Sequence, residues 1–172
     1  PQRLISTLDW VNTRRTFQGV KTFWRTPEWD LDAFWVRPMI TEKGNLDNWD
    51  TQQNFFGLWA TNKPKPGHTI DLYFLSLIND RNVTAANLLA GNILQANADT
   101  HTLGGRLAGN FDNLLYELEG MYQFGQRSNL DVSAFAVATG IGYRLPLPMN
   151  PQGWIRYDFA SGDSSSPDGR SN

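Results

Sequence analysis

Glu117 and Glu119 stand two residues apart in a stretch of alternating hydrophobicity. Strand rise puts such carboxylates roughly 6 to 7 Å apart on one face, close to the spacing of a glycosidase acid pair. Alternating acids on a wetted strand face are commoner, so both are read as wall residues rather than catalysts. His68, read in a turn, and His101, read at a strand start, are the only histidines, and no Gly-x-Ser-x-Gly elbow accompanies them. Asp163, Ser165, Asp168 and Gly169 loosely match a calcium loop but lack its closing bidentate Glu, which favours a solvated loop. With no cysteine there is no disulfide, zinc–thiolate site or thiol nucleophile. The expectation is a protein that is not an enzyme and carries neither metal nor cofactor.

What remains is the display of charge. Lys21, Arg25, Asp71, Arg106, Glu117, Glu119, Arg144, Arg156 and Asp158 fall on the polar side of alternating segments. Cations interleaved with acids would give an anionic polymer carboxylate-pairing sites weak enough to release it, as conduction demands. The blander outcome is cross-strand ion pairing along any water-filled wall. Arg37 has the parity of Leu31, Ala33 and Trp35 and lies near a strand end, where it can snorkel.

Eight β-rich segments must position these groups: 16–26, 29–39, 52–61, 69–77, 100–110, 113–125, 131–145 and 153–161. Nearly all exceed the five or six residues of an ordinary globular strand and match the nine to eleven that a tilted strand needs to cross hydrocarbon. Turn chemistry separates them: Thr26-Pro27-Glu28, the stretch 62–67 with two prolines, Asn110-Phe111-Asp112-Asn113, Arg127-Ser128-Asn129 and the proline-rich 146–151. Residues 83–95 are a weak helix candidate, since Asn87, Gly91 and Asn92 interrupt the stripe of Leu88, Leu89, Ile93 and Leu94. Asn82-Val83-Thr84 matches a glycosylation sequon, a triplet that also arises by chance.

The two faces of these segments differ in kind. Ile70, Leu72 and Phe74 oppose Asp71 and Tyr73, and Leu114, Tyr116, Leu118, Tyr122 and Phe124 oppose Glu117, Glu119 and Gln123. Phe135, Val137, Ile141 and Tyr143 oppose Ala134, Ala136, Ala138, Gly140, Gly142 and Arg144, while Ile155, Tyr157 and Phe159 oppose Arg156 and Asp158. Aromatics gather near segment ends, as membrane girdles do: Trp24 and Trp29, Tyr122 and Phe124, Tyr143 and Trp154. Fifteen Lys and Arg against 17 Asp and Glu leave a net charge of −2, which argues against nucleic acid as a partner. The fold class expected is all-β, an antiparallel transmembrane β-barrel of about eight meander strands within a single domain, 1–172. Residues 1–15 would lead in, and 162–172 would form a loop or truncated tail.

These segments carry a family resemblance. Thr16-Phe17-Gln18-Gly19-Val20, Leu31-Asp32-Ala33-Phe34-Trp35-Val36-Arg37-Pro38, Thr102-Leu103-Gly104-Gly105-Arg106, Leu115-Tyr116-Glu117-Leu118-Glu119-Gly120 and Tyr157-Asp158-Phe159-Ala160-Ser161-Gly162-Asp163, in that order, resemble the alginate export (AlgE-like) outer-membrane β-barrel family. The resemblance implies a barrel of about eighteen strands in the outer membrane of a Gram-negative bacterium, passing an anionic polysaccharide through an arginine-rich lumen. Eight strands are too few for that pore, so the chain would be a segment of a larger barrel or a short relative with a filled lumen. Its partners would be outer-membrane lipid and an anionic, alginate-like polysaccharide or small solutes. A general solute porin shares the architecture, and a soluble β-sandwich or lipocalin-like binding module would show the same alternation.

Overall fold

Period-2 alternation bounded by Pro, Gly and Asn turns produces strands throughout. The computed structural model describes residues 16–40, 48–80, 97–127, 130–161 and 170–171. The helix candidate 83–95, the sequon, the Asp163 loop and the lead-in 1–15 lie outside them. The strands run β1 (Phe17–Arg25), β2 (Trp29–Ile40), β3 (Asn48–Trp49), β4 (Gln53–Asn62), β5 (His68–Asn79), β6 (Ala98–Phe111), β7 (Leu114–Arg127), β8 (Leu130–Arg144), β9 (Gln152–Ala160) and β10 (Arg170–Ser171). Eight of them correspond to the eight expected segments, with ends shifted by at most two residues. The other two are two-residue pairings that alternation cannot register.

The long strands form one antiparallel meander in the order β1, β2, β4, β5, β6, β7, β8, β9. β3 extends the β4 edge of β2, where Met39 faces Trp49, before the three residues 50–52 loop out and Val36 faces Phe55. Asp50 anchors this bulge: its backbone N–H donates to the Pro38 carbonyl, and its buried carboxylate accepts from the Gln52 N–H at 3.0 Å. β10 pairs in parallel with β8 at Asp131 and Val132, beyond the point where β9 leaves that edge. Among the described residues β1 pairs only with β2 and β9 only with β8, so the sheet is open.

At one end of the sheet the connections are 26–28, 63–67, 112–113 and 145–151, while at the other they range from the two residues between β7 and β8 to the eighteen between β5 and β6. The first turn closes by a Thr26 N–H bond to the Trp29 carbonyl, with the Thr26 hydroxyl accepting from the Trp29 N–H. The β6–β7 turn is the two residues Asp112 and Asn113, tighter than the four-residue Asn110 to Asn113 turn expected, because β6 runs on through Phe111 and Asp112 adopts a positive φ of 50°.

The register sorts side chains onto two faces. One carries Val20, Leu58, Leu72, Leu103, Leu118, Ile141, Ile155 and Tyr157, all strongly exposed, Ile155 at 76% and Tyr157 at 65%. Trp24, Trp29, Phe111 and Tyr143 lie at the margin that carries turns 26–28, 112–113 and 145–151, and Phe56, Phe124 and Phe159 lie toward the other. On the opposite face lie Asp71, Tyr73, Thr102, Glu119 and Ala138, all buried, Tyr73 to 2% and Glu119 to 3%. A soluble sandwich would bury its apolar side and wet its ionic side. Here the arrangement is inverted, as lipid outside requires.

Candidate functional site

The charged face is built by strand pairing. Cross-strand partners share a face, and one row links Arg25, Asp30, Thr61, Asp71, Arg106, Glu119, Ala138 and Asp158 across eight strands. Lys21 and Glu117 join it by parity, as do Arg144 and Arg156, so all nine charged residues singled out from the sequence share one side. The same pairing brings in Tyr73, already read on the side of Asp71, and Asp30, Asp32, Trp59 and Thr61, which sequence reasoning did not single out. Asp30 and Asp32 alternate with Leu31 and Ala33, a signal of the kind used for Glu117 and Glu119.

Two networks occupy most of this face. On β1 and β2, Arg25 Nη2 donates to both carboxylate oxygens of Asp32 at 2.7 and 2.8 Å, and its Nη1 donates to the Leu31 carbonyl at 2.8 Å. Lys21 adds a third contact to Asp32 at 2.9 Å, and Lys63 reaches Asp30 at 2.7 Å. On β4 to β7, Asp71 is the hub. It accepts from the Thr61 hydroxyl, from Trp59 Nε1 at 3.3 Å and from Arg106 Nη1 at 3.2 Å. Arg106 Nε donates to Glu117 at 3.0 Å, so one guanidinium straps two acids from neighbouring strands.

Glu119 is held separately, accepting from the Tyr73 hydroxyl at 2.9 Å, while the Tyr73 ring lies flat against Trp59 with centroids 4.3 Å apart. Glu117 and Glu119 thus each hold a partner already, one a guanidinium and the other a phenol. Among the described residues no group of three or more His, Asp or Glu side chains is placed to hold a metal ion.

β8 and β9 differ. Arg144, Arg156 and Asp158 lie on the charged face, but among the described residues no salt bridge reaches them. Instead the Arg156 guanidinium stands 4.9 Å from the centre of the Trp154 ring. Trp154 was expected in a girdle, but strand parity puts it on the charged face beside Arg156. Its indole covers Gly142, where an added Cβ would meet Cδ2 at 2.6 Å. The backbone favours this position, since Gly142 pairs with Trp154 and the ring also reaches Gly140 on the same face of β8.

Neither histidine belongs to the charged face. His68 is the first residue of β5 rather than part of a turn, because the β5–β6 ladder begins at its pairing with Gly109, and its Nδ1 lies 2.6 Å from the Tyr116 hydroxyl. His101 bridges Ser76 and Asp99. Arg37 sits on the apolar face, stacked over Trp35 and Trp49 with its Nε donating to Asn54 at 3.0 Å. Aromatic and amide contacts let it stay near the margin.

Strands of nine to fifteen residues, exposed aliphatics between aromatic margins and an ion-paired opposite face define a wall segment of an outer-membrane β-barrel channel. The model of the alginate export family matches residues 1–172, the whole length of the chain, and the chain belongs to that family. It is thus an outer-membrane transport channel protein at the level of its family. Searches of curated proteins and of solved structures return no match.

Proposed function

We propose that the charged face lines the lumen of a passive outer-membrane channel and that the cargo is an anionic, alginate-like polysaccharide. Membership of the alginate export family supports the cargo class. The observation that carries the lumen reading is the inversion of burial on the interior strands, with Leu72 and Leu103 open on one side and Asp71 and Glu119 enclosed on the other. In this reading the paired networks hold the wall open, and cations without acid partners meet the cargo. The end carrying the turns 26–28, 63–67, 112–113 and 145–151 faces the periplasm and the end carrying the long β5–β6 connection faces outside, as bacterial barrels place their longest loops.

The test is current through single channels of the full-length protein in planar bilayers, with sodium alginate oligomers or neutral maltohexaose added. Block by the acidic oligomer at concentrations where maltohexaose has no effect is the expected result. Equal block by both would favour a general solute porin. Charge reversal of Arg144 and Arg156 to Glu should lower the anion-to-cation permeability ratio, and an unchanged ratio would remove the lumen assignment.

A further inference from the structure

We propose that Arg156, held on the Trp154 indole, is the carboxylate-binding subsite of this wall, a reading that rests on the channel function proposed above. The cations of the charged face are unequally available. Arg25 and Lys21 converge on Asp32, Lys63 on Asp30, and Arg106 on Asp71 and Glu117. A cargo carboxylate would have to displace a protein carboxylate at each of them. At Arg156 it would displace only water, because among the described residues no acid lies within salt-bridge distance.

Availability alone does not make a site; the seat does. A Cβ at Gly142 would collide with the Trp154 indole, so the bare backbone there seats the ring, and the guanidinium carbon stands over that ring 4.9 Å from its centre. A cation–π contact with the ring consumes none of the guanidinium's N–H donors, which are left for bidentate pairing with a carboxylate. The order of dependence is Gly142, then Trp154, then Arg156, then cargo. Trp154 is therefore a positioning residue that spares the arginine part of its ordering cost on binding. Arg144 lies two pairing rows further along the same face, about 14 Å away by strand rise, where a second carboxylate of an extended chain can reach it. Ala138, Ala136 and Ala134 continue that face of β8 without long side chains to obstruct a polymer.

The experiment uses the same single-channel block. Arg156→Gln should weaken block by the alginate oligomer about tenfold, one charge-assisted contact's worth. Arg156→Lys should recover only part of the loss, because an ammonium neither stacks flat nor pairs through two parallel bonds. Trp154→Phe should raise the dissociation rate of the blocking oligomer while keeping net charge, which a merely structural role would not do. Should Trp154→Phe fail to insert, the Gln and Lys pair carries the test alone. Alginate block in the parent that is unchanged in Arg156→Gln overturns the subsite and leaves the channel reading standing. No alginate block in the parent overturns both.

Discussion

Arg106 shows how a residue can look like a cargo contact and act as a strut. Its guanidinium bridges Asp71 of β5 and Glu117 of β7, and its own strand lies between them. Arg106→Gln removes the cation shared by two carboxylates in a partly enclosed setting, and a loss of about 2 kcal/mol is expected after allowing for water access. Thermal unfolding in detergent micelles measures it, and a variant as stable as the parent would refute the strut. The alternation of Glu117 and Glu119 with Leu118 made their shared face legible from sequence. Which cation each acid meets was not, since partners on other strands depend on register, and register depends on turns whose lengths composition sets only loosely. Trp154 was misread for a different reason. Nearness to a strand end suggested a girdle, but its parity with Arg156 already carried the opposite answer.

At the level of strands, aromatic rings seated on neighbouring glycines recur. Phe34 covers Gly57, Tyr73 covers Gly104 and Trp154 covers Gly142; a Cβ at these glycines would stand 2.1, 2.3 and 2.6 Å from the ring. Each seat works at one register alone, because a slip of one residue turns the ring to the other face. Gly104→Val should push Tyr73 off its seat and away from Glu119, costing about 1 to 3 kcal/mol by overpacking. Gly120→Val is the matched control, since no atom lies within 4 Å of a Cβ there. Urea unfolding of both variants in lipid vesicles decides the matter, and equal changes in the two would show that seating is not at stake. Period-2 alternation locates strands, but it is blind to such seats because glycine reads as a weak strand residue and the ring it receives lies on another strand.

The whole molecule is a two-sided wall, and its apolar side makes the sharpest demand on surroundings. Leu118 lies within β7 and Leu114 begins it, and both side chains are exposed on the same face. Leu118→Arg should cost about 2 to 4 kcal/mol of folding into bilayers and Leu114→Arg about 0 to 1, because the penalty fades from midplane to interface. Folding titrations into vesicles report both values, and equal costs would mean that this face does not meet hydrocarbon. The two-sidedness and the eight long strands were open to a reader of the chain. The parallel β10 contact was not, since two residues leave no period to detect.

The meander order carries a kinetic consequence. No long strand is slotted between two that precede it in the chain, so each hairpin can zip onto its predecessor as it is delivered, and the wall lengthens only at its rims. At both rims, Phe17–Arg25 and Gln152–Ala160, one row of amides and carbonyls still awaits a partner among the described strands, a debt that oil does not forgive. Sealing those rims is therefore the step that commits the protein to the bilayer, and any machine that assists its assembly must shelter them until then.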